Sequence, residues 1–222
     1  MCELFVPEGD GPHAVVVVVH GGYWRARYDR SLMTSLCEDL ALRGLAAWNI
    51  EYRRIGNGGG WPHTLADVAS AVDALADVDG RLDLTRIGAV GHSAGGQLAL
   101  WAAARGQIRA VVSQAGLGDL VLAAVTPPSD EPTRAFLGGD PEEVPERYAA
   151  ASPAAQAPLG IPQLVLHGAD DDVVSPRISE AYSEAAGAEC ELRVLAGTGH
   201  YEHIDPGSHT WRAAREWLEA VL

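Results

Sequence analysis

Ser93 sits between glycines in the run Gly91-His92-Ser93-Ala94-Gly95, after a short apolar stretch and before a helix-like one. A strand that turns sharply into a helix needs small neighbours at the turn, and such an elbow lifts the serine side chain clear of the backbone. A serine hydroxyl is a poor nucleophile until a histidine takes its proton. That histidine works best when a carboxylate fixes its tautomer and stabilises its cation. Downstream, QLVLHGADDDVVSP brings Asp170, Asp171 and Asp172 just past an apolar run at 163–168, and CELRVLAGTGH ends in His200. Upstream, VVVVVHGGYW places His20-Gly21-Gly22 at the end of the first long apolar run. There the backbone N–H groups of Gly22 and Tyr23, joined by that of Ala94, can approach a developing oxyanion. Nucleophile, acid, base and oxyanion donors all have candidates, in the chain order Ser, Asp, His.

Elements that must position these groups alternate along the chain. Short β-rich runs at 14–20, 45–53, 86–92, 110–116, 163–168 and 190–197 are separated by helical patterns. Continuous apolar strands suit a parallel sheet covered on both faces. Leu65, Val68, Val72 and Leu75 repeat at helical spacing behind Thr64 and Asp67, which together read as a capping box. Pro176 behind Ser175 opens a second helix that Gly187 closes, and Trp211, Ala214, Leu218 and Val221 form an apolar stripe on a last one. The expected fold class is α/β, a doubly wound, mostly parallel sheet with its loops and chemistry along one edge. A single domain over 1–222 follows, with the Pro-, Ala- and acid-rich stretch 117–162 as a small cap or lid. The run IGNGGGWP at 55–62 reads as a flexible surface loop.

Composition narrows the function classes. A net charge of −14 repels phosphate backbones and anionic membranes, so neither nucleic acid nor membrane is an expected partner. Cys2, Cys37 and Cys190 are odd in number and widely spaced, which fits neither a disulfide framework nor a metal knuckle. The start lacks a basic region followed by an apolar core, and AVVVVV is too short to span a bilayer, so the expected location is cytoplasmic. Neither a phosphate loop nor a dinucleotide fingerprint is present, and no cofactor is expected. His200, His203 and Asp205 also satisfy a His-x-x-His-x-Asp metal pattern, but no further cysteine or histidine stands at ligand spacing, so no metal is expected. His20, Glu51 and Asp67 read as structural hydrogen-bonding and ion-pair groups. Tyr23 and Trp24 read equally as core aromatics or as substrate-binding walls.

With these parts in place the chain resembles the α/β-hydrolase superfamily, in its HGG-bearing branch of carboxylesterases, arylformamidases and prolyl-oligopeptidase-like hydrolases. Besides HGGYW and GHSAGG, the resemblance takes in EYRR at 51–54, WPHTLADV at 61–68, LDLTRI at 82–87, FLGGDPEEVPERYAAASP at 136–153 and HGADDDVV at 167–174. It implies a serine hydrolase with Ser93 as nucleophile and His200 as base. The family's HG-x-x-D-x-x-V pattern selects Asp171 over Asp170 and Asp172. The family also begins with a hairpin of which only CELFVP at 2–7 remains, implying a trimmed sheet or a partner, including a second copy, covering that edge. The expected substrate is a small-molecule ester with a short acyl group. Arylformamidase and small aminopeptidase-like amidase activities are the alternatives, and a catalytically silent receptor or scaffold is the reading from a different class.

Overall fold

In the computed structural model, which describes residues 2–222, seven strands form one sheet in the order β1-β3-β2-β4-β5-β6-β7. The strands are β1 (Glu3–Phe5), β2 (His13–Val19), β3 (Ala46–Ile50), β4 (Leu82–His92), β5 (Ala110–Gln114), β6 (Gln163–Gly168) and β7 (Cys190–Leu195). All neighbours run parallel except β1, which pairs antiparallel with β3 through Leu4 and Trp48. The CELFVP segment therefore supplies a three-residue edge strand.

Buried β-branched residues explain the central strands. Val15, Val17 and Val19 of β2 face one core while Val16 and Val18 face the other, so each side of the strand is covered. On the second face lie α1 (Thr34–Leu42) and α8 (His209–Val221), which contribute Leu36, Leu40, Trp211 and Leu218. On the first lie α2 (His63–Asp73), α3 (Ala94–Ala103) and α7 (Pro176–Ala186). The chain leaves β2 for β3 on one side, then returns to β4 on the other. The carboxyl ends of β2 and β4 thus flank the switch point of the sheet, where doubly wound folds bind ligands.

Several local expectations change. Strand β4 begins at Leu82, earlier than expected, because its first residues pair with β2 before a register shift at Ala14/Val15. Strand β3 ends at Ile50, which frees Glu51–Arg53 for the loop. Thr64 and Asp67 form no capping box. The N-cap of α2 is Pro62, Thr64 Oγ1 donates to the Arg53 carbonyl, and Asp67 takes the Arg53 backbone N–H and guanidinium. Val221 is 39% exposed, so the α8 stripe ends at Leu218. The 55–62 loop is tied down rather than loose: Asn57 Oδ1 accepts the Arg54 N–H, and a Cβ on Gly59 would fall 2.1 Å from the Arg53 carbonyl oxygen.

The stretch expected as a small cap or lid is helical. Residues 117–162 fold into α4 (Leu120–Ala123), α5 (Asp130–Leu137) and α6 (Pro145–Ala151), which bury Leu120, Phe136, Leu137 and Tyr148 in the first-face core. Gln97 and Trp101 of α3 donate to the carbonyls of Ala151 and Ala150. None of the segment's residues is among those lining the cleft described next, but Ser129 Oγ lies 3.2 Å from the hydroxyl of Tyr23, which lines it.

Candidate active site

Residues at the end of β4 build a strained elbow. Ser93 has φ 56° and ψ −122°, between the strand and α3, which begins at Ala94. The flanking glycines are required by close approach: a Cβ on Gly91 would lie 2.0 Å from the Gly95 carbonyl oxygen, and one on Gly95 would lie 2.1 Å from the Val19 carbonyl oxygen. Strain of this kind costs about 1–3 kcal/mol and persists where the surroundings fix it. Here the Ser93 N–H donates to Gln114 O at 2.8 Å, and its carbonyl accepts from Gly96 at 2.9 Å.

The other elements meet at this point. Asp171 follows β6, and His200 lies in the loop between β7 and α8. The His200 Nδ1–H donates to Asp171 Oδ2 at 2.7 Å, and both side chains are almost wholly buried. Asp171 Oδ1 accepts the backbone N–H groups of Val173 and Val174 at 2.9 and 2.8 Å. Burial alone would raise the Asp171 pKa. Hydrogen bonds from His167, His200 and the backbone outweigh it and hold the carboxyl well below the usual carboxylate range. It is therefore ionised at neutral pH. Asp170 and Asp172 are exposed, and neither reaches His200.

Ser93 and His200 border one cleft of about 110 Å³. Among the described residues, Ser93 Oγ and His200 Nε2 make no hydrogen bond, a separation that tightens in such sites when substrate enters. Gly21 and Gly22 bring the 20–24 loop against the elbow, where a Cβ on Gly21 would lie 2.7 Å from the His92 carbonyl oxygen. The N–H groups of Gly22, Tyr23 and Ala94 have no acceptor among the described residues, and that of Ala94 opens the N-terminus of α3. His20 holds this loop from behind. It stacks on Tyr52 at 4.3 Å, its Nε2 pairs with Glu51 at 3.1 Å, and Glu51 in turn meets Arg54.

Tyr23 and Trp24 separate. Tyr23 lines the cleft, and its hydroxyl donates to Val173 O at 2.6 Å, tying the glycine loop to the acid turn. Trp24 does not line it. Its ring is fully buried, stacks on Phe136 at 4.4 Å and donates to Gln97 Oε1, so the substrate-wall reading of Trp24 gives way to core packing. Tyr28, Leu32, Val173, Tyr201 and Ile204 complete the walls, and among the described residues no Asp, Glu, Lys or Arg lines the cleft. Tyr28, in a loop, and Leu32, in a short 3-10 helix, carry no sequence signal for this. A larger groove of about 710 Å³ lies between the β1 end and α1, lined by Phe5, Val6, Pro7, Glu38 and Leu42, but it holds no nucleophile.

Two further histidines support the pair. The His92 Nε2–H donates to the His200 carbonyl at 2.9 Å, with the rings 4.6 Å apart. Burial, followed by the neighbouring His200 and His203, pushes its pKa well below the ordinary histidine value, so it is a neutral spacer. His167 at the end of β6 approaches Asp171 Oδ2 at 3.2 Å. Both stand inside motifs quoted above, GHSAGG and HGADDDVV. Their position next to a triad member was the available signal, although polarity alone did not assign them a role. His203 is wholly buried, and neither ring nitrogen has a hydrogen-bond partner among the described residues.

Comparison with known proteins agrees with this architecture. The prolyl oligopeptidase family matches residues 40–222. No curated protein matches the chain. Among solved structures, a bifunctional GH43-CE protein of Bacteroides eggerthii superposes with a TM-score of 0.84 at 23% identity over 99% of this chain, which spans only 35% of that one. A truncated carbohydrate esterase from gut microbiota gives 0.82 at 21% identity, covering 99% of this chain and 90% of that one. The propionate-bound esterase Est2 of Thermogutta terrifontis gives 0.77 at 22%, covering 99% and 87%. At such identities the likeness concerns the fold.

Proposed function

The chain belongs to the prolyl oligopeptidase family of α/β-hydrolases, and from that footing we propose that it is a serine esterase that cleaves carboxylic esters of small acyl groups through an acyl-enzyme. The observation that carries the reading is the meeting of Ser93 and His200 in one small uncharged cleft, with His200 bonded to the buried, ionised Asp171.

In the proposed reaction Ser93 Oγ attacks the ester carbonyl carbon while His200 Nε2 takes its proton. Asp171 keeps Nδ1 protonated and stabilises the imidazolium that forms. The carbonyl oxygen gains its negative charge beside the free amides of Gly22, Tyr23 and Ala94, whose dipoles are already oriented and need no reorganisation. Collapse of the tetrahedral intermediate releases the alcohol, protonated by His200. Water then repeats the sequence in reverse on the acyl-Ser93 ester and restores the enzyme.

Cleft size favours a short acyl group, bounded by Leu32 and Ile204. No carboxylate lines the cleft to pair with a protonated α-amine, which disfavours the aminopeptidase-like alternative. Arylformamidase activity keeps one supporting observation: Tyr28 and the 63% exposed Tyr201 stand at the rim, where an aryl leaving group can stack. The test is kcat/KM of the wild type and of Ser93→Ala on p-nitrophenyl acetate, an N-formyl aryl amine and an aminoacyl arylamide. The reading predicts Ser93-dependent turnover with the ester ahead, and is overturned by ester turnover that survives in Ser93→Ala.

A further inference from the structure

His167 is the fourth residue of a buried polar chain that the triad leaves unexplained. It is the penultimate residue of β6, four residues before Asp171, and its side chain is fully buried. Its Nε2 lies 2.9 Å from Val174 O and 3.2 Å from Asp171 Oδ2, and its Nδ1 lies 2.7 Å from Ser179 Oγ on α7. A carbonyl and an ionised carboxylate only accept, so Nε2 carries the proton. In the neutral ring Nδ1 is then an acceptor, and the Ser179 hydroxyl donates to it. The Nε2–H of His167 donates to Val174 O and passes 3.2 Å from Asp171 Oδ2, the oxygen that accepts from His200.

We propose that His167, held by Ser179, is a positioning residue for the reaction: it fixes the rotation of the Asp171 carboxylate and takes a share of the charge that Oδ2 offers to His200. The first part follows from geometry. Oδ1 is fixed by the N–H groups of Val173 and Val174, and His167 reaches both Oδ2 and the carbonyl of Val174, closing the turn on itself. Gly168, next in sequence, lets the loop of His200 pack directly on this turn, since a Cβ there would lie 2.2 Å from Thr198 O. The second part follows from electrostatics. A polar N–H beside a carboxylate oxygen lowers the potential available to a donor on that oxygen, so losing it strengthens the hold of Asp171 on a protonated His200. Other titratable groups near the pair are His92 at the end of β4, His203 in the 202–204 turn, and Tyr23 and Tyr201 at the cleft. His92 and His203 are kept neutral by burial.

The inference rests on the proposed roles of His200 and Asp171, and two readouts keep them apart. The titration of the His200 ring is followed by NMR in the wild type, His167→Leu, His167→Gln and Ser179→Ala, and the pH dependence of Ser93 labelling by a fluorophosphonate is followed in the same proteins. His167→Leu is expected to raise both midpoints by roughly half a pH unit and to slow labelling about tenfold. His167→Gln, whose amide N–H can stand where Nε2–H stood, is expected to restore the midpoints. Ser179→Ala shifts them the same way by less, and decides the matter if the leucine variant does not fold. Unchanged midpoints in a folded His167→Leu or in Ser179→Ala overturn the proposal, as does a glutamine variant as defective as the leucine one. Absence of labelling in the wild type refutes the esterase reading instead, while the NMR midpoints still decide what His167 does to His200.

Discussion

Asp171→Asn separates the proposed triad from its acidic neighbours. The amide oxygen can keep the two bonds from Val173 and Val174, which fixes its NH2 group where Oδ2 stands, facing the donors on His200 and His167. Donor then meets donor. His200 escapes by moving its proton to Nε2, the tautomer that cannot accept from Ser93. Loss of the 2.7 Å charge-assisted bond removes about 1.5–3 kcal/mol of stabilisation from the developing imidazolium. Restoring the productive tautomer against the misplaced amide costs about another 2 kcal/mol, on the scale of an unsatisfied buried polar group. The sum, about 3.5–5 kcal/mol, corresponds to a fall in kcat of roughly 4 × 10² to 5 × 10³. Asp170→Asn and Asp172→Asn alter exposed side chains and are expected to stay within about twofold of wild type. The assay is steady-state hydrolysis of p-nitrophenyl acetate, with thermal unfolding to show that each variant folds. An Asp171→Asn enzyme with a tenth of wild-type kcat, or a larger loss at Asp170 or Asp172, refutes the reasoning.

Other substitutions probe the walls, the core and the pH response. Across p-nitrophenyl esters of two to sixteen carbons, kcat/KM is expected to peak at four carbons or fewer, because a methylene gains its about 0.8 kcal/mol only where apolar wall meets it; Leu32→Ala should move the optimum to longer chains, and a wild-type maximum at ten carbons or more refutes the bounded cleft. Tyr23→Phe removes the bond to Val173 O and should lower kcat about fivefold, a loss of about 1 kcal/mol, read by the same ester assay. Trp24→Ala should destabilise the fold by about 3–5 kcal/mol in urea unfolding, as expected for a buried ring, with KM nearly unchanged in whatever folded fraction remains. His203 is pushed down to about 3 by burial, then by nearby His167 and His200. The unfolded chain therefore binds the extra proton from about pH 6.5 downward, and stability falls as pH drops through that window at about 1.4 kcal/mol per pH unit for this residue. His203→Leu should flatten the decline by that amount between pH 6 and 4, measured by urea unfolding.

Most of the scaffold was legible because its signals are local. The apolar runs at 14–20 and 163–168 became β2 and β6 since valine and leucine on both faces suit only a covered strand, and the spacing of Gly91, Ser93 and Gly95 encodes contacts closer than any Cβ permits. The acid was harder: three adjacent aspartates are equivalent by type, so the family pattern had to single out Asp171, and the turn that holds it against Val173 and Val174 gives the physical reason. The packing of Trp24 and of the 117–162 segment was out of reach for a shared reason. An aromatic residue beside a glycine loop, or an acid-rich stretch between strands, has the composition of a rim, but Phe136 and Gln97 receive Trp24 and draw that segment into the core. Such partners lie far apart in sequence. Tyr28, Leu32 and Ile204 escaped notice likewise, because the cleft is assembled from loops whose meeting is fixed only by the sheet order.

The central claim is that Ser93 carries the acyl group during turnover. Rapid quenching of the enzyme with excess p-nitrophenyl acetate at mildly acidic pH, followed by peptide mass analysis, reads this directly. The account predicts a burst of p-nitrophenol approaching one equivalent, one acetyl group on the peptide containing Ser93, and neither in Ser93→Ala. Steady turnover by Ser93→Ala at the wild-type rate, or an acetyl group found only on another residue, would contradict it.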